Sequence, residues 1–153
     1  MTPSPAILDF IKGWESCKLI PYLDQAKHWT VGWGHLLPLT DMRGEISQDQ
    51  ADILLAQDID ATNRGLLMLI SSSPSQQQWD ALLSLGFNEG VREISNSSLL
   101  RHINEGDWGA ASYQFPMWHY EHVNGQLISS NGLYKRRLAE QAIFERGDYS
   151  GRP

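Results

Sequence analysis

Ile7, Phe10, Ile11 and Trp14 recur three and four residues apart, directly after Ser4-Pro5. A serine N-cap followed by proline opens a helix, and the spacing predicts one apolar stripe along it. Glu15 lies about 40° round from Ile11, on the edge of that stripe rather than opposite it. From Lys18 the period changes from helical to alternating. Leu19-Ile20-Pro21-Tyr22-Leu23 and Trp29-Thr30-Val31-Gly32-Trp33 read as two short strands joined by a polar turn around Gln25-Ala26-Lys27-His28. Trp29, Val31 and Trp33 would face one way. Thr30, Gly32 and Gly34 would face the other, leaving room for a close approach. A connecting loop over 25–29 would set Asp24 opposite Thr30.

Ser47-Gln48-Asp49-Gln50 is a capping box. The helix it starts carries Ile53, Leu54, Ile59, Leu66 and Leu67 and is expected to run over about 48–72. Ser71 to Ser75 breaks it and caps a further helix, QQQWDALLSLGFNEG. Shorter helical pieces follow around Leu99–Ile103, Trp108–Trp118 and Gly132–Arg146, separated by glycines. The expectation is a predominantly helical α+β chain with one small antiparallel sheet near its N-terminus.

Composition narrows the function. With 12 basic against 18 acidic residues and a net charge of −6, and with no Lys/Arg run, nucleic acid is not an expected partner. The single cysteine, Cys17, allows no internal disulfide, and no Cys/His cluster has zinc spacing, so no metal or cofactor is expected. His119 and His122 read as a polar surface stretch, His35 as a structural contact at the ribbon's end. The opening MTPSPAILDFIKGWE lacks a signal-peptide pattern, and no apolar run could span a bilayer.

Five segments in order now carry a resemblance. Glu15, Asp24 and Thr30 stand with eight and then five residues between them, and VGWGHLL follows at once. QQQWDALLSLGFNEG, SSLLRHINEGDWGAA, Trp118 with its glycine loop, and GLYKRRLAEQAIF come after. Together, over about residues 7 to 147, they resemble the phage T4-type lysozymes, the glycoside hydrolase family of phage endolysins. The resemblance implies a lysozyme-like two-lobed fold forming one lysozyme domain over 1–153. Its N-terminal lobe would cover about 12–60, its connecting helix about 48–72 and its C-terminal lobe about 73–153. It also implies a muramidase that hydrolyses the β-1,4 bond between N-acetylmuramic acid and N-acetylglucosamine in peptidoglycan, as a phage or prophage endolysin in host cell lysis.

Glycoside hydrolysis needs a proton for the leaving oxygen and support for an oxocarbenium-like carbon. Glu15 suits the general acid, because a helix C-terminus disfavours a negative charge. Asp24, on a ribbon, suits the ionised partner, and the Thr30 hydroxyl can orient water. An inverting pair stands apart to admit water and a retaining pair stands closer, with Asp24 as nucleophile; inversion is what the resemblance implies. The resemblance further assigns Arg136 to orienting Glu15, with Arg137 as the alternative, and Leu36, Phe87, Ser98 and Gly32 to substrate contact. Trp29 and Trp33 are core or sugar-stacking platforms, with core the better fit.

Two other functions compete. A lytic transglycosylase needs one essential acid and yields a 1,6-anhydro product. An inactive wall-binding or tail-associated module would keep the fold alone. By resemblance, a monomer would wait in the host cytoplasm until a holin admits it to the periplasm and its peptidoglycan substrate. Its acidic charge is unusual for a protein that must reach an anionic wall.

Overall fold

The computed structural model describes residues 1–24, 27–40, 44–123 and 125–153, with 122 and 123 as backbone only. The chain divides into two compact units, Glu15–Ala61 on one hand and Met1–Trp14 with Thr62–Pro153 on the other. Glu15 opens the smaller unit. The first helix, α1 (Pro5–Trp14), belongs with the larger unit because its buried Ile7, Phe10 and Ile11 pack in the region of α3 (Gln76–Glu89).

The smaller unit holds a three-stranded antiparallel sheet of β1 (Lys18–Leu23), β2 (Trp29–Gly32) and β3 (His35–Leu36), in that order. Lys18 pairs with Gly32 but Tyr22 pairs with Thr30, so β1 carries a bulge between them. Pro21 sits in the bulge, where its missing N–H breaks no ladder bond. Val31, Leu37, Ile46, Ala51 and Leu54 form the core, with Cys17, Leu19, Trp29 and Trp33 packed around it. The two tryptophans are partly buried against that core, and Trp33 donates its indole N–H to Asp52 at 2.7 Å.

Helix α2 (Gln48–Leu69) starts in this unit. Its capping box is real: the Ser47 hydroxyl accepts from Gln50 N–H at 3.2 Å, and the Gln50 side chain accepts from Ser47 N–H at 2.8 Å. The helix ends at Leu69, three residues before the expected stop. Asn104 takes over there, donating to the Leu69 carbonyl at 3.0 Å and accepting from Ser71 N–H at 2.8 Å. Ile53 and Leu67, read as part of its apolar stripe, are exposed; Leu54, Leu55, Ile59 and Leu66 are buried.

The larger unit centres on α3, buried from Trp79 to Gly86. Its capping box joins Ser75 and Gln78. Around it stand α4 (Val91–Ser95), α5 (Ser98–Glu105), α6 (Trp108–Gln114), a 3-10 turn over Phe115–Met117, and α7 (Asn131–Arg146). A second sheet lies between the 3-10 turn and α7: β4 (Tyr120–Val123) pairs antiparallel with β5 (Gln126–Ser129). The single-sheet expectation is corrected here. An Asn-Gly pair between alternating residues, at 124–125, is the sequence signal for such a hairpin, and Gly125 has φ +80°.

Both ends of the chain close on α3. Asp80, wholly buried, accepts from the Ser4 N–H at 3.2 Å, the Ser4 hydroxyl at 2.5 Å, the Gln76 amide at 2.9 Å and the Tyr149 hydroxyl at 2.7 Å. Four donors to one carboxylate offset the penalty of its burial.

Candidate active site

Glu15 is the first residue beyond α1, half-buried in the bend that leads to β1. The strand register corrects one expectation: Tyr22, not Asp24, pairs with Thr30, and Leu23 pairs with Trp29. Asp24 instead faces His28, to whose carbonyl it donates its N–H at 2.9 Å. With side chains alternating, Tyr22, Asp24 and Thr30 still share a face, Asp24 diagonal to Thr30 rather than opposite. Gln25 and Ala26 of the expected turn lie outside the described residues.

The backbone of one residue, His28, ties Asp24 to Thr30. The His28 N–H donates to Asp24 Oδ1 at 2.8 Å, and the His28 carbonyl accepts the Thr30 hydroxyl at 3.1 Å. Thr30 is buried, and its hydroxyl proton is committed, which leaves its oxygen as an acceptor. Asp24 Oδ2 has the His28 ring nitrogen 3.6 Å away. The Tyr22 phenol reports on both acids: burial raises its pKa, and the charges of Asp24 and Glu15 raise it further. Both carboxylates therefore act on one ring, which Lys18 Nζ caps at 4.0 Å from the centroid. Spacing alone singled out neither Tyr22 nor the His28 backbone. The signal for them is the register, which depends on the bulge at Pro21.

Leu36 pairs with Thr30 across β2 and β3 and is exposed. Gly32 differs from its reading as open floor. Its φ is +65°, and a Cβ there would meet Ala51 Cβ at 3.2 Å. The close approach is made by α2, inside the core. His35 makes its expected structural contact, its Nδ1 lying 2.9 Å from Asp58.

The remaining candidates lie in the larger unit. Phe87 is half-buried on α3, and Ser98 is exposed at the start of α5, donating to Gln114 at 2.7 Å. Arg136 is buried, with Nε 3.3 Å from Glu140. Arg137 is fully buried and held by Glu89 at 2.7 Å, Asn88 at 2.7 Å and Glu140 at 2.8 Å. Burial lowers the Arg137 pKa and raises that of Glu89, each partly offset by the charge of the other. Arg137 is thus a structural cation between α3 and α7. Among the described residues no group of three or more His, Cys, Asp or Glu could hold a metal ion. The side chain of His122 lies outside the described residues, while His119 bonds the Pro116 carbonyl.

Known proteins are similar to this chain in sequence and in fold. Residues 12–140 match the family model described as Phage lysozyme. An endolysin of Acyrthosiphon pisum secondary endosymbiont phage 1 is 39% identical over 138 residues, covering 90% of this chain and 94% of the relative. Among solved structures, an endolysin from Escherichia coli O157:H7 phage FAHEc1 superposes with a TM-score of 0.88 at 28% identity, covering 97% of this chain and 96% of that one. The muramidase domain of SpmX from Asticaccaulis excentricus superposes at 0.84, also at 28% identity, over 94% and 97%.

Proposed function

The chain belongs to the phage lysozyme family, and from that premise we propose that it is an endolysin that cleaves peptidoglycan by inverting hydrolysis, with Glu15 as acid and Asp24 as base. The substrate bond is the β-1,4 link between N-acetylmuramic acid and N-acetylglucosamine. Glu15 gives its proton to the leaving oxygen as the glycosidic bond breaks. Water attacks the sugar carbon from the opposite side and passes its proton to Asp24. The observation that carries this reading is the His28 backbone, whose N–H and carbonyl tie Asp24 to Thr30. It holds Asp24 Oδ1, leaving Oδ2 to take the proton, and it consumes the Thr30 proton, so that water must donate to Thr30. Two acceptors then aim one water molecule.

Arg136 orients Glu15 in this reading, and Leu36, Phe87 and Ser98 contact the glycan. The protein works as a monomer and reaches the wall from the host cytoplasm once a holin opens the membrane. Among the described residues no helix is long and apolar enough to cross a membrane.

Purified peptidoglycan is the test substrate. Glu15→Gln and Asp24→Asn should each lose more than about 100-fold in release of reducing ends. Proton NMR of the first product should show the α anomer. A β anomer would mean retention, and a 1,6-anhydro product would mean transglycosylation. Wild-type turnover by Glu15→Gln would remove the assigned acid.

A further inference from the structure

Three helices of the larger unit line an open cleft of about 290 Å³. Gln77 of α3, Trp108, Ser112 and Tyr113 of α6, and Phe144 and Glu145 of α7 line it. All of these belong to the larger unit, whereas Glu15, Asp24 and Thr30 all belong to the smaller. Phe144 is buried and forms an apolar base, while Tyr113 is 73% exposed and Trp108 half-buried. An aromatic ring so exposed gains little from the core. Beside Trp108 the chain places Gly109, where an added Cβ would meet only Asp107 at 3.8 Å.

The polar groups of this cleft are held in place. Glu145 Oε1 accepts from the Ser112 hydroxyl at 2.5 Å and from the Gln141 amide at 3.2 Å, and Gln141 also donates to Ser112 at 3.1 Å. Ser112 is itself buried. An exposed glutamate is ordinarily a mobile side chain; this one is fixed by two neighbours on two helices. The Gln77 amide reaches the Phe144 carbonyl only at 3.4 Å. The Trp108 N–H and the Tyr113 O–H have no hydrogen-bond partner among the described residues.

We propose that this cleft is an accessory subsite for one sugar ring of a glycan strand. Aromatic planes take the C–H faces of a pyranose, and a fixed carboxylate accepts from neighbouring hydroxyls. The free indole and phenol donors, with the Gln77 amide, suit hydroxyl and acetamido oxygens. The volume is at the small end for ligand pockets and fits one ring. The Glu145 carboxylate in the wall, with Arg146 Nη1 3.6 Å from its Oε2, opposes burial of an acyl chain there. That the glycan is peptidoglycan rests on the function proposed above. On a polymeric substrate the subsite would hold the enzyme near its strand and raise the local concentration of cleavable bonds.

The test uses the full chain. The Trp108 indole signal, assigned in a 15N correlation spectrum with Trp108→Phe, is followed as tri-N-acetylglucosamine is added. It should shift saturably, and Tyr113→Ala should weaken the apparent affinity read from it roughly threefold to tenfold. In a Glu15→Gln background, Tyr113→Ala should lower co-sedimentation with purified sacculi, while in the active protein it leaves hydrolysis of a short soluble glycan unchanged. An indole signal that stays still, or sacculus binding unaltered by Tyr113→Ala, overturns the proposal. So does a shift produced by a synthetic stem peptide but not by the sugar. If the Trp108 shift occurs in a protein that cleaves no peptidoglycan, the subsite stands and the catalytic reading falls.

Discussion

The Tyr149–Asp80 contact makes stability depend on pH in a way that one substitution isolates. The Tyr149 hydroxyl donates to Asp80 Oδ2 at 2.7 Å, and its pKa is raised to about 12 by burial, then by that bond and by the carboxylate's charge. An unfolded tyrosine titrates near 10. A phenol held neutral in the fold contributes its full stability below pH ~10 and loses it as pH rises to ~12, because the unfolded chain ionises first. Two pKa units correspond to about 2.7 kcal/mol, which solvent screening at a partly exposed ring reduces to roughly 1–2 kcal/mol. A hydrogen bond to a charged acceptor is worth a similar amount, about 1.5–3 kcal/mol. Tyr149→Phe removes this donor and leaves Asp80 those of Ser4 and Gln76, so no orphaned charge inflates the effect. At pH 7 the variant should melt about 3–8 °C below the parent. Thermal melts by circular dichroism from pH 7 to 11.5 should show that gap narrowing above pH 10. Lysines and other tyrosines titrate in both proteins and cancel in the difference. A gap that stays constant to pH 11.5, or no gap at pH 7, would refute the reasoning.

Thr30→Val should keep its melting temperature within a few degrees, since the His28 carbonyl still receives the Asp24 N–H. Its turnover should fall by about 10–100-fold, and unaltered turnover would remove the water-orienting role. Gly32→Ala should destabilise by about 1–2 kcal/mol in urea titration, because its φ is +65° and Ala51 Cβ stands 3.2 Å from the new methyl. Pairing it with Ala51→Gly should recover the contact part only. Glu140→Gln leaves Arg136 and Arg137 short of their shared buried carboxylate. A loss of about 3–5 kcal/mol is expected, read from the denaturant midpoint. With a net charge of −6, lytic activity should show no steep decline as salt rises, and a steep decline in a turbidity assay would contradict the charge argument.

Local chemistry made much of this protein legible from its residues in order. Helix starts at Ser4-Pro5, Ser47 and Ser75 follow from capping, which needs only a side chain and the three residues after it. The Glu15, Asp24 and Thr30 spacing, with the segments behind it, pointed to the family because those positions are read along the chain. Register is another matter. The bulge around Pro21 moves Thr30 from Asp24 to Tyr22, and a slip in a ladder depends on partners that no single strand contains. Gly32 looked like open space because its neighbour Ala51 arrives from a helix nineteen positions on. Arg136 and Arg137 are adjacent in sequence, yet Asn88 and Glu89 hold Arg137. Backbone propensity and capping act over a few residues and are written in order. Which groups share a buried carboxylate or a peptide hydrogen bond is decided only when distant segments pack, because burial is what makes those partners necessary.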